Sequence, residues 1–142
     1  MIASVVLKGT PERDRYKPYG LLNTLALRMA AGVASVVISR AGSGSIFEIA
    51  SWELPAILVP IPEDVSHDQT ENAFSYARMG GAVVIEQHNL TPHVLAAEIR
   101  RIINSPELIE KMKDAARNYA RPDAAKKIAT VLLDMAIAHE PA

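Results

Sequence analysis

A chain of 142 residues, 49% of them hydrophobic, is long enough for one ordinary domain with a core of its own. Lysine plus arginine (15) nearly balance aspartate plus glutamate (16), leaving a net charge of −1 and neither a basic field for nucleic acid nor an acidic tail. The absence of cysteine excludes disulfides and thiolate metal sites, no apolar run approaches the roughly 20 residues of a membrane span, and the start lacks the basic-then-apolar order of a secretory signal, a profile that fits the cytoplasm.

In chain order, the β-branched run over residues 2–7 reads as a strand or a disordered start, and the charged, turn-rich GTPERDRYKP follows it. The segment NTLALRMAAG is rich in helix formers, with Asn23 as N-cap and Gly32 as stop. SVVIS (35–39) and AILVP (56–60) have the continuous apolar character of strands covered on both faces, and a helix from about Ser45 to Trp52 joins them. A helix around 69–79, a turn at Gly80 and Gly81, and the strand AVVIE (82–86) complete a second βαβ unit, so the sheet is expected to be parallel. Thr91 with Pro92, Ser105 with Pro106, and Pro122 with Asp123 open three helices near 92–104, 106–119 and 123–138. Their apolar stripes, including Met112, Leu132, Leu133 and Met135, read as core. The sum is an α/β, Rossmann-like layer structure.

Ligands of open parallel sheets sit where strands run into helix N-termini. Two loops qualify. In RAGSGS (40–45), Gly42 and Gly44 remove side chains that would block close approach, Ser45 offers a hydroxyl, and the amides of the following helix favour an anion. Glu48 stands near the same helix end, placed to accept hydrogen bonds from paired ribose hydroxyls, and its charge suits the helix dipole. The same residues also read as a plain capping box, Ser45 as N-cap and Glu48 reaching back from N3; spacing does not choose between the two. The second loop, IPEDVSHDQTENA (61–73), gathers Ser66, His67, Asp68, Gln69 and Asn72, groups that donate to and accept from sugar hydroxyls, or that simply line a solvated, capped loop. His67 beside Asp68, without further ligands, makes no metal site, and neither a metal nor a cofactor is expected. As successive crossovers of one sheet, the two loops would flank a single crevice.

The stretches VVISRAGSGSIFEIA, PAILVPIP and SHDQTENAFSYARMGGAVVIEQHNLTP resemble, in that order, the C-terminal portion of the MurG family. These are bacterial UDP-N-acetylglucosamine transferases that convert lipid I to lipid II in peptidoglycan synthesis. The likeness runs from about Tyr16 to the late helix ARPDAAKKIATVLL. It implies a GT-B glycosyltransferase, whose C-terminal Rossmann-like domain holds the nucleotide sugar, with residues 1–142 as one incomplete domain of that kind closed by C-terminal helices.

By the family pattern, Glu48 holds the ribose, Gly44 and Ser45 meet the donor phosphates, Ser43 lies beside the sugar, and Asp68 and Gln69 contact the N-acetylglucosamine hydroxyls. Arg40 and Asn72 match positions that brace the loops, and Leu22 is the candidate for a backbone contact to the uracil edge. Three departures stand out: Asp68 where glutamine or histidine is usual, Ser35 in place of an aspartate, and WELP without the glycine that normally ends its helix. A carboxylate at position 68 accepts from a hydroxyl but repels a diphosphate, which bears on donor preference.

The family's acceptor domain, its general base and the glycine-rich turn that grips the diphosphate have no counterpart in these residues, so no catalytic residue is assigned and the chain is expected to be inactive alone. Expected partners are UDP-N-acetylglucosamine, an acceptor-domain chain and, only through that domain, the lipid-linked acceptor at the inner face of the plasma membrane. An exposed sheet edge would also support a homodimer. Three readings stay open: the donor-binding part of a lipid-II-forming transferase, whether fragment or subunit of a split enzyme; an epimerase of similar architecture, disfavoured by its missing catalytic acids; and a non-catalytic binding or interaction module.

Overall fold

The computed structural model describes residue 9 and residues 11–138. The chain divides into two units, Met1–Val33 and Ala34–Ala142. In the first, a 3-10 turn at Pro11–Arg15 precedes helix α1, Thr24–Val33. Asn23 caps α1 as expected: its Oδ1 accepts from Ala26 N at 2.9 Å, satisfying one of the amides that a helix start leaves orphaned. Gly32 does not stop the helix, which runs on to Val33. The expected strand or disordered start at residues 2–7 lies outside the described residues.

The second unit is built on a parallel sheet of three strands in the order β1 (Val37–Ser39), β2 (Ala56–Leu58), β3 (Ala82–Val84). Register pairs Val37 with Ala56 and Ser39 with Leu58, then Ala56 with Ala82 and Leu58 with Val84. The strands are shorter than the apolar runs that announced them. Pro55 and Pro60 bracket β2, and a proline has no amide to give a ladder, although single bonds from Val59 N to Ser39 O (2.8 Å) and Ile85 N to Leu58 O (2.9 Å) extend the pairing slightly. Helices α2 (Ser43–Ser51) and α3 (His67–Arg78) make the crossovers, and α4 (Pro92–Ile103), α5 (Pro106–Tyr119) and α6 (Ala124–Ala138) close the chain. Thr91 and Ser105 cap α4 and α5 as their sequences announced, each hydroxyl accepting from the third residue onward, Val94 N at 3.2 Å and Leu108 N at 3.3 Å.

Ile57 of β2, Val59 just beyond it and Ile85 beyond β3 form the core with Ile102 of α4 and Met112 of α5. A second contact zone is aromatic: Tyr119 of α5 stacks on Phe47 of α2 at 5.2 Å and tilts against Tyr76 of α3 at 4.9 Å.

Both crossover helices end in the same way. Gly80, at φ +91°, follows α3, and the bonds from Gly80 N to Ala77 O and Gly81 N to Tyr76 O close the turn. Gly81 has a further reason: a Cβ there would fall 2.3 Å from the Tyr76 ring. At the end of α2 the left-handed residue is Glu53, at φ 55°, with equivalent bonds from Glu53 N to Ala50 O and Leu54 N to Ile49 O. The missing glycine of WELP therefore changes the residue and not the turn. The left-handed backbone costs an L-residue about 1 kcal/mol or more, and Glu53 offsets part of that by pairing with Arg117 of α5 at 2.6 Å.

One expectation fails. Met112 is core, 2% exposed, but Leu132, Leu133 and Met135 on α6 are 61%, 62% and 57% exposed, and no described residue of α6 is buried. Among the described residues no helix is long and apolar enough to cross a membrane.

Candidate functional site

Helix α2 starts two residues earlier than its sequence suggested, and this removes the capping-box reading of SGSIFE. The N-cap is Gly42, extended at φ −64°, ψ 140°, with no side chain to cap anything. Ser45 is the third helical residue and Glu48 the sixth, so the capping box does not form. The first helical bond runs from Ile46 N to Gly42 O at 3.0 Å, leaving the amides of Ser43, Gly44 and Ser45 without a helical acceptor. Ser43 and Gly44 are exposed and Ser45 is half-buried. A Cβ on Gly42 or Gly44 would meet no protein atom within 4 Å, and neither glycine has a positive φ; nothing inside the described protein demands glycine there. Both positions are open to close approach from outside.

Glu48 is exposed on the second turn of α2, and among the described residues its carboxylate has no hydrogen-bond or ion-pair partner. Its carboxylate is available to a ligand.

The second loop enters α3 through Ser66, extended at φ −151°, whose hydroxyl makes no cap bond. Asp68 is exposed on the first turn of α3, near the positive end of that helix. Gln69 turns inward: its Oε1 accepts from Ala41 N and from Ile61 N, both at 3.2 Å. Asn72, one turn on, donates from Nδ2 to Ala41 O at 3.4 Å. Arg40 donates from Nη1 to Val59 O at 3.2 Å and to Gln87 Oε1 at 2.5 Å, joining the first loop to the end of β2 and to the 3-10 turn Gln87–Asn89. The two crossover loops therefore meet at one end of the sheet.

Ala41 and Gln87 escaped the sequence reading. Ala41 carries no functional side chain; its importance lies in a backbone amide and carbonyl, and its only signal is small size beside Gly42. Gln87 is one polar residue among several in EQHN. Leu22 belongs to the N-terminal unit, half-buried in the segment ahead of α1. A groove of about 460 Å³ lies beside the site, between Pro60, Pro62 and Thr70 on one side and Glu86, Gln87 and His88 on the other. Among the described residues no group of three or more His, Cys, Asp or Glu side chains is disposed to hold a metal.

Residues 8–128 match the glycosyltransferase family 28 C-terminal domain. The chain belongs to this family. It is 37% identical over 124 residues to the UDP-N-acetylglucosamine–N-acetylmuramyl-(pentapeptide) pyrophosphoryl-undecaprenol N-acetylglucosamine transferase of Brucella anthropi, covering 82% of this chain and 32% of the relative. The enzyme of the same name from Methylococcus capsulatus is 44% identical over 107 residues, covering 75% of this chain and 30% of that one. The chain thus spans about a third of the length of the curated relatives it matches. Among solved structures, MurG of Acinetobacter baumannii superposes with a TM-score of 0.76 at 26% identity, over 94% of this chain and 38% of that one. The glycosyltransferase VinC, solved in complex with dTDP, shares the fold at a TM-score of 0.64 and 23% identity, over 82% of this chain and 27% of that one. The chain thus carries a MurG-like, Rossmann-type α/β domain of the GT-B architecture.

Proposed function

We propose that this chain binds UDP-N-acetylglucosamine and serves as the donor side of a transferase that glycosylates a lipid-linked muramyl pentapeptide in peptidoglycan synthesis. The observation that carries the reading is the start of α2: three amides with no helical acceptor, two glycines no packing requires, and, among the described residues, no partner for the Glu48 carboxylate. A diphosphate on the amides of Ser43, Gly44 and Ser45 would satisfy groups that otherwise face solvent, and the helix dipole adds to the attraction. Glu48 then accepts from the ribose hydroxyls, and Asp68 with Gln69 faces the sugar. The name shared by the relatives supports the choice of donor.

Inverting transfer also needs a base to deprotonate the acceptor hydroxyl and a second surface to exclude water. In this reading both come from an acceptor domain, with which the donor side works at the cytoplasmic face of the plasma membrane. Calorimetric titration with UDP-N-acetylglucosamine tests the donor reading. Saturable binding is expected, weakened by roughly tenfold or more in Glu48→Ala because charge-assisted bonds to the ribose are lost. No saturable binding to the wild type, or equal affinity in the variant, defeats it.

A further inference from the structure

We infer that Gln69 is a positioning residue: its carboxamide oxygen locks the two ligand-facing loops together, so it can meet a donor only through its NH2 group. The inference deepens the nucleotide-sugar reading and rests on it for the identity of the ligand. Gln69 Oε1 accepts from Ala41 N, beyond β1, and from Ile61 N, beyond β2. Two converging N–H donors fix the orientation of the amide, since an NH2 turned toward them would face donors with a donor. Both lone-pair directions of the oxygen are then committed to backbone.

The clamp sits at a sensitive place. Ala41 is fully buried, its carbonyl is held by Asn72, and it immediately precedes Gly42, the N-cap of α2. Fixing Ala41 therefore fixes where the free amides of Ser43, Gly44 and Ser45 stand relative to the first turn of α3. The clamp is made of protein groups alone, and loops held in this way leave less ordering to be done on binding. A contact to the sugar alone would leave the affinity for the bare nucleotide untouched; a clamp on the loops would not.

The experiment compares wild type, Gln69→Met and Gln69→Glu by titration with UDP and with UDP-N-acetylglucosamine, and by amide hydrogen exchange at Ala41 and Ile61. Gln69→Met removes the acceptor. Exchange at both amides is expected to speed up by about tenfold or more, with affinity for UDP and for the sugar nucleotide falling together. Gln69→Glu keeps an acceptor for both amides and loses the NH2; exchange stays at the wild-type rate, while UDP-N-acetylglucosamine loses affinity relative to UDP. Unchanged exchange in Gln69→Met overturns the inference, as does a loss confined to the sugar nucleotide in that variant. Should the wild type bind neither nucleotide, the donor reading fails and the exchange rates still decide the clamp.

Discussion

Tyr76 is fully buried against Gly81 and Tyr119, and its hydroxyl has no hydrogen-bond partner among the described residues. An orphaned buried hydroxyl costs about 1–3 kcal/mol, so Tyr76→Phe is expected to raise stability, by roughly 1 kcal/mol, in urea unfolding at neutral pH. The same burial, reinforced by Tyr119, pushes the phenol from 10.0 up to about 12. Below pH 10 both folded and unfolded chains keep the proton. As pH rises toward about 12 the unfolded chain releases it while the folded chain holds it, so this residue draws the equilibrium toward unfolding. The wild type should therefore lose on the order of 2 kcal/mol across that interval from Tyr76, and Tyr76→Phe should not. Parallel alkaline limbs in the two proteins would mean that the hydroxyl reaches water or a partner.

Among the elements, α2 shows where sequence signals work and where they mislead. Asn23, Thr91 and Ser105 announced their helices because a capping side chain is itself the signal, and the structure pairs each with a backbone amide. Gly42 caps α2 with its backbone alone, and Ser45, inside the helix, imitates a cap that is not there. The extended Gly42, with free space around its missing Cβ, can accept a serine without strain. Gly42→Ser is expected to stabilise the fold by a few tenths of a kcal/mol, by capping an amide of the first turn. It should also weaken UDP roughly fivefold, because the serine oxygen competes with the diphosphate for about 1 kcal/mol of hydrogen bonding. Thermal unfolding reads the first effect and calorimetry the second. A more stable protein with undiminished affinity would place the diphosphate elsewhere.

At the scale of the whole molecule, topology and loop convergence were legible in the sequence because alternating strand and helix periods constrain what can neighbour what. The bonds that Gln69 and Asn72 make to Ala41 were not legible, since backbone groups carry no sequence mark. Nor was the depth of α6. Its composition, AAKKIATVLLDMAIA, is as apolar as a core helix, but apolarity is a property of the segment and burial a property of what lies against it. The two can be separated by mutation. Met112, in contact with the β2 core, should lose about 2–5 kcal/mol on replacement by alanine, the transfer and cavity terms together. Leu132→Ala and Leu133→Ala remove side chains of about the same size from surface that is already wet, and each should change stability by less than about 0.5 kcal/mol. Denaturant midpoints measured at one low protein concentration make the comparison free of association. Losses of the Met112 size at positions 132 or 133 would show that α6 is packed in solution, and the core would then have to be redrawn to include it.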